Sequence, residues 1–212
     1  MQNVGLRECK KMRTRAEIAD TAMRLFAERG FDRVTVAEVA SAAGVSQKTV
    51  FNYFPTKEDL FFDEVPAREA ALRDAVRMRA SGETVLSALH RLQSAECARM
   101  CSPGFAGFAK IIEDSPDLQA KELEVMARFH RVLADAIETE LGVSERDARI
   151  TAGLLISVHR QMFHFARKQA LAGKHGPAAV RQLRSDLDRA YELLEHGLQG
   201  IEQAPGHAVV AS

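Results

Sequence analysis

Only three cysteines occur, Cys9, Cys97 and Cys101. They are too few and too unevenly spaced for a disulfide framework, which points to a reducing cytoplasm. Excess charge is missing as well: 29 Lys and Arg face 29 Asp and Glu. No global field therefore draws the chain to nucleic acid or to a membrane, which argues against a protein that coats DNA regardless of sequence. A long clean apolar run is also lacking. Residues 150–166 come nearest, but His159, Arg160, Gln161 and His164 interrupt them, short of the roughly 20 apolar residues that cross a bilayer. That stretch is expected as a buried helix, and with no secretory signal at the start the expected location is cytoplasmic, with no membrane partner. No nucleophile elbow, phosphate loop or metal-protease helix is present, and the histidines and cysteines lack placed carboxylate partners. An enzyme is the rival from a different class that these absences disfavour, and no cofactor or metal is expected.

What is present is a chain of 212 residues, 46% hydrophobic, enough for one large domain or a small one joined to a bigger one. Positive charge is local: Arg7, Lys10, Lys11, Arg13 and Arg15 stand against Glu8 alone in the first fifteen residues. Residues 1–13 show no apolar period and are expected as a basic flexible arm able to lie against phosphates.

The most informative stretch is TVAEVASAAGVSQKTVFNYF, residues 35–54. Thr35 with Glu38 forms a capping-box pattern, Gly44 suits the left-handed turn that ends a helix, and Ser46 restarts one. Val39, Ala40, Ala43, Val45, Val50 and Phe54 are expected to face inward. Gln47, Lys48, Thr49, Asn52 and Tyr53 are then left outward, a set of amides, a cation, a hydroxyl and a phenol that suits the major groove of DNA. A preceding helix over 14–29 is expected from the Thr14/Glu17 pattern and Gly30, with Ile18, Ala22, Leu25 and Phe26 as its apolar stripe. Pro55 and Thr56 open a fourth helix, and Pro66 reads either as a hinge or as a boundary.

The series AERGFDRVTVAEVASAAGVSQKTVFNYFPTKEDLF carries three elements together: G-F-x-x-V-T, A-x-x-A-G-V-S and Y-F-x-x-K-E-x-L. It resembles the DNA-binding segment of the TetR-like (tetracycline repressor) family of bacterial regulators. The resemblance implies an all-α homodimer with an N-terminal helix-turn-helix over 14–62. A helical effector-binding and dimerisation bundle over 63–202 follows, then a disordered tail over 203–212. It also implies base contacts from Gln47 and Lys48, and apolar or backbone contact from Phe51 and Asn52. Thr35, Thr49, Tyr53 and Lys57 would hold phosphates, with Ser46 in the same DNA-contacting set. Two departures stand out. Ala37 occupies a position where some relatives carry a longer polar side chain, and Phe51 replaces a frequent tyrosine, losing a hydroxyl.

The expected function is a ligand-responsive repressor that binds a palindromic double-stranded operator as a dimer and is released by a small apolar or amphipathic effector. Candidate effector contacts are Phe105, Phe108, Met126, Phe129, His159, Met162 and Phe163, since Met and aromatic surfaces tolerate apolar ligands. Leu155 of the long apolar helix and the stripe Val180, Leu183, Leu187, Tyr191, Leu194 and Leu198 are the candidate dimer interface. The alternative is a thiol- or metal-responsive regulator, because His90, Cys97 and Cys101 fall within about 20° of one another on a helix. The spacing matches no standard zinc site, and buried apolar cysteines are the ordinary case.

Overall fold

The computed structural model describes residues 5–196. Among them are ten helices and no strand: α1 Leu6–Arg29, α2 Val36–Ala42, α3 Gln47–Tyr53, α4 Lys57–Phe61, α5 Val65–Arg77, α6 Val85–Met100, α7 Pro103–Glu113, α8 Pro116–Leu141, α9 Glu145–Leu171 and α10 Pro177–His196. The expected tail over 203–212 and Leu198 lie outside the described residues.

Local chemistry accounts for most helix ends. Thr35 and Thr56 each form a reciprocal capping box, with Glu38 and Asp59 respectively. Ser46, Thr84 and Ser144 accept from the backbone three residues on, satisfying donors that a helix start leaves unpaired. Gly44, with φ of +65°, makes the turn between α2 and α3, a conformation in which a Cβ is penalised.

Two expectations about boundaries are corrected and one alternative is resolved. The first helix begins at Leu6, not at Thr14, so residues 6–13 of the expected flexible arm are helical, while its residues 1–4 lie outside the described residues. Nothing in LRECKKMR breaks a helix, and Leu, Arg, Glu, Lys and Met all favour one; an internal Thr-x-x-Glu pattern cannot stop a helix already under way. The fourth helix ends at Phe61. Pro66 then stands in the first turn of α5, where its missing N–H costs nothing, so it marks a boundary and not a kink.

The chain divides into two compact units, and the division falls inside α5, α7 and α8. The first takes in residues up to Arg68 together with Gly107–Val125; the second takes in Glu69–Ala106 and the chain from Met126 onward. In the first unit, α1 to α4 close over Ile18, Phe26, Val34, Val39, Val50, Phe54 and Leu60, all essentially inaccessible. Phe61 lies 6.4 Å from both Phe26 and Phe31, edge-on to Phe62 at 5.1 Å, and stacked on Phe108 at 4.6 Å. The remote segment is fastened there by polar contacts too: Ser115 donates to Asp32 Oδ1 at 2.8 Å, and Lys121 pairs with Asp59 at 3.2 Å. No sequence signal marked residues 107–125 as part of the first unit, the N-terminal head.

In the second unit α6, α9 and α10 pack on one another. Of the candidate dimer-interface residues, most are covered by the chain itself. Leu155, Leu183, Leu187 and Tyr191 are buried within the chain's own core, where no partner can reach them; Val180 and Leu194 are half-buried. The apolar stripe of α10 is used to cover α6 and α9. On α9 the chain's own core covers one side, with Ala152, Leu155 and Ala166 buried, while Ile150, Leu154, Phe165 and Leu171 are exposed in the single chain.

Candidate nucleic-acid interface

Helix α3 holds seven residues. Its core anchor is Val50, 1% exposed. Gln47, Lys48, Phe51 and Asn52 all face solvent, and at 100° per residue they span an arc of about 140°. Phe51, 47% exposed, presents a large apolar surface of the kind that packs against a thymine methyl. Ala37, on α2, is exposed but offers only a methyl group.

The residues expected to touch phosphates are differently occupied. Thr35 donates from its hydroxyl to Glu38 Oε2 at 2.8 Å and accepts from the Glu38 amide. The Thr49 and Ser46 hydroxyls are 2.8 Å apart. Lys57 places its ammonium 4.0 Å from the centroid of the Phe31 ring, and burial pushes its pKa below the ordinary lysine value, with Asp32 opposing. Tyr53 is half-buried, and its carbonyl accepts from Arg15 Nη1 at 3.0 Å. Arg15 also donates to the Asp63 carbonyl at 3.0 Å and lies 4.2 Å over the Phe54 ring. It thus locks α1 to the C-terminal end of α3, a positioning role that its place in a basic run did not suggest.

The entry to α2 is held electrostatically. Backbone donation from Thr35, the Arg29 guanidinium at 2.7 Å and the Thr35 hydroxyl together hold the Glu38 carboxyl down to about 2. Folding lowers this pKa, so the contribution is full above about 4.5 and is lost as pH falls from there through 2. Acid denaturation of Glu38→Gln beside the native protein tests this. The variant is expected to show a flatter stability profile between those pH values, and superimposable profiles would remove Glu38 from the account.

Sequence comparison agrees with the geometry. The family model for bacterial regulatory proteins of the tetR family matches residues 18–63, which run from the core of α1 past the end of α4. The chain is 30% identical over 136 residues to the nucleoid occlusion factor SlmA of Pasteurella multocida, covering 61% of this chain and 67% of that protein.

The chain belongs to the TetR family.

It is likewise similar to the HTH-type transcriptional regulator TcmR of Streptomyces glaucescens, 29% identical over 142 residues, which cover 61% of this chain and 63% of that regulator, just under two thirds of its length. Among solved structures, the TetR-family repressor FadR of Thermus thermophilus, in complex with lauroyl-CoA, shares the fold, with a TM-score of 0.51, 24% identity and coverage of 87% and 94% of the two chains. Regulators of transcription are among these relatives. No described helix is long and apolar enough to cross a membrane.

The remaining candidates belong mainly to the second unit. Phe105 meets Phe163 edge-on at 5.6 Å, Phe129 meets His159 at 6.0 Å, and Met162 is buried. Met126 is half-buried. Phe108 is the exception, since it stacks on Phe61 in the head. The thiol and metal alternative finds no support. His90 Nε2 is 2.7 Å from Asp188, and Cys97 donates to the Gln93 carbonyl. Burial pushes the Cys97 thiol up to about 11 and raises Cys101 as well, which disfavours the reactive thiolate form. Among the described residues no group of three or more His, Cys, Asp or Glu side chains could hold a metal ion.

Proposed function

We propose that this TetR-family regulator is a repressor that reads a palindromic operator as a homodimer, one α3 in each half-site, and is released by a small apolar or amphipathic effector held in the second unit. The observation that carries the reading is the crowding of Gln47, Lys48, Phe51 and Asn52 on the solvent side of α3. Gln presents a matched donor and acceptor to adenine, and Lys donates to guanine. Thr35, Ser46, Thr49, Tyr53 and Lys57 surround that face and serve as its phosphate and backbone contacts. Phe105, Phe129, His159, Met162 and Phe163 suit an effector with an apolar body, in keeping with the acyl-CoA bound by the FadR neighbour. A coupling of about 1 to 3 kcal/mol between effector and operator changes affinity roughly 5 to 150-fold.

The dimer surface is reassigned to the exposed side of α9. Ile150, Leu154 and Phe165 share one face within about 60° at 100° per residue, and each is between 41% and 57% exposed. Large apolar residues aligned on one helix face signal a partner.

Selection of bound sites from random DNA tests the reading. The expected result is a palindrome, and recovery of unrelated sequences defeats it. On that palindrome Lys48→Ala is expected to relax preference at one base position, costing about 1 to 3 kcal/mol there. Lys57→Ala is expected to weaken all sequences alike, with circular dichroism checking the loss of its contact with Phe31. Native affinity and preference in both variants would overturn the residue assignments.

A further inference from the structure

The basic start of the chain is built as helix, and this gives its cations fixed directions. Residues 8–13 are exposed on α1. Arg15 anchors that part of the helix, through Tyr53, Asp63 and the Phe54 ring, to the C-terminal end of α3. Lys11 precedes Arg15 by four residues and lies about 40° from it around the helix, roughly 6 Å further toward the N-terminus. Lys10 points about 140° away from Arg15. Arg13 is already paired with Glu17 at 3.1 Å. Glu8 is the one acid among residues 8–13; it lies on the Arg15 side, a turn beyond Lys11, and being exposed it is a weak competitor for that lysine.

We propose that Lys11 contacts a backbone phosphate of the operator beside the end of α3, as a positioned helical contact and not as part of a diffuse basic arm. The proposal rests on the DNA-reading assignment of α3. Arg15 donates to carbonyls within the protein, so among the described cations on that side of α1 it is Lys11, one turn earlier, that faces solvent toward DNA. A phosphate contact carries no base information, and its removal lowers affinity for every sequence and flattens the salt dependence.

The test uses the full-length protein, the selected operator and a random duplex, titrated from low to moderate salt. Lys11→Ala is expected to weaken both DNAs by the same factor and to reduce the slope of log affinity against log salt by about 0.9, one phosphate's worth. Lys10→Ala is expected to change that slope by less than half as much. Met12→Pro keeps every charge but ends the helix ahead of residue 12, and is expected to reproduce the Lys11→Ala loss. Equal effects from Lys10→Ala and Lys11→Ala, or a native slope in Met12→Pro, would overturn the positioned contact in favour of a diffuse arm. Failure of the native protein to select any operator would instead overturn the underlying reading.

Discussion

Phe61→Ala is expected to cost the DNA-reading head about 3 to 5 kcal/mol, a large share of the roughly 5 to 15 kcal/mol that holds an ordinary domain folded. The ring is 3% exposed and touches Phe26, Phe31, Phe62 and Phe108. Those partners come from α1, the α1–α2 link, the end of α4 and α7. Removing the ring leaves a cavity at the point where they meet, and close-packed interiors relax only partly around such a loss. Urea unfolding followed by fluorescence of a dye-labelled head, or by circular dichroism, measures the loss, and operator affinity should fall with it. Leu123→Ala, at a side chain 64% exposed, is the matched control, expected to stay within about 0.5 kcal/mol of native. A Phe61→Ala protein as stable as that control would show that the aromatic cluster does not hold the head together.

Leu154→Glu is expected to convert the protein to monomers at micromolar concentration while leaving its fold intact. Leu154 is 53% exposed, so a carboxylate there meets water in the free chain and costs little. Facing its own copy across a two-fold axis, the same carboxylate would meet a second one in a desolvated setting, where unpaired like charges are strongly unfavourable. Sedimentation gives the mass directly. Because two linked heads bind a palindrome far more tightly than one, operator affinity should fall by roughly 100-fold or more, whereas binding to an isolated half-site should hardly change. A dimer that survives Leu154→Glu, but is broken by a charge introduced on the exposed side of α10, would move the interface to that helix.

Leu183, Leu187 and Tyr191 show why an apolar stripe does not by itself mark an interface. Their spacing announces an apolar face, and they do form one. Spacing cannot say whether the covering surface belongs to the same chain or to another, and here α6 and α9 of the same unit cover it. On α9 the reverse holds: Ile150 and Leu154 stand beside buried Ala152 and Leu155, so a helix rich in apolar residues on every side conceals which side is free. Cys97 illustrates the same gap in chemistry. Its place near Cys101 and His90 was readable, but burial, which keeps the thiol protonated, is a property of the packed core.

By itself the sequence determined the helix-turn-helix and the outward placing of Gln47, Lys48 and Asn52 on α3, because caps, a left-handed glycine and apolar spacing act over three to eight neighbouring residues; the family was legible through a resemblance in its motifs. Only the tertiary structure decided that residues 107–125 build part of the head, that Arg15 bonds within the protein while Lys11 is exposed, and that the face of α10 is covered within the chain. Each of these depends on contacts between segments far apart in sequence, such as Phe61 with Phe108 or Ser115 with Asp32. Such pairings follow from the competition of all apolar surfaces for one another, which no local pattern encodes.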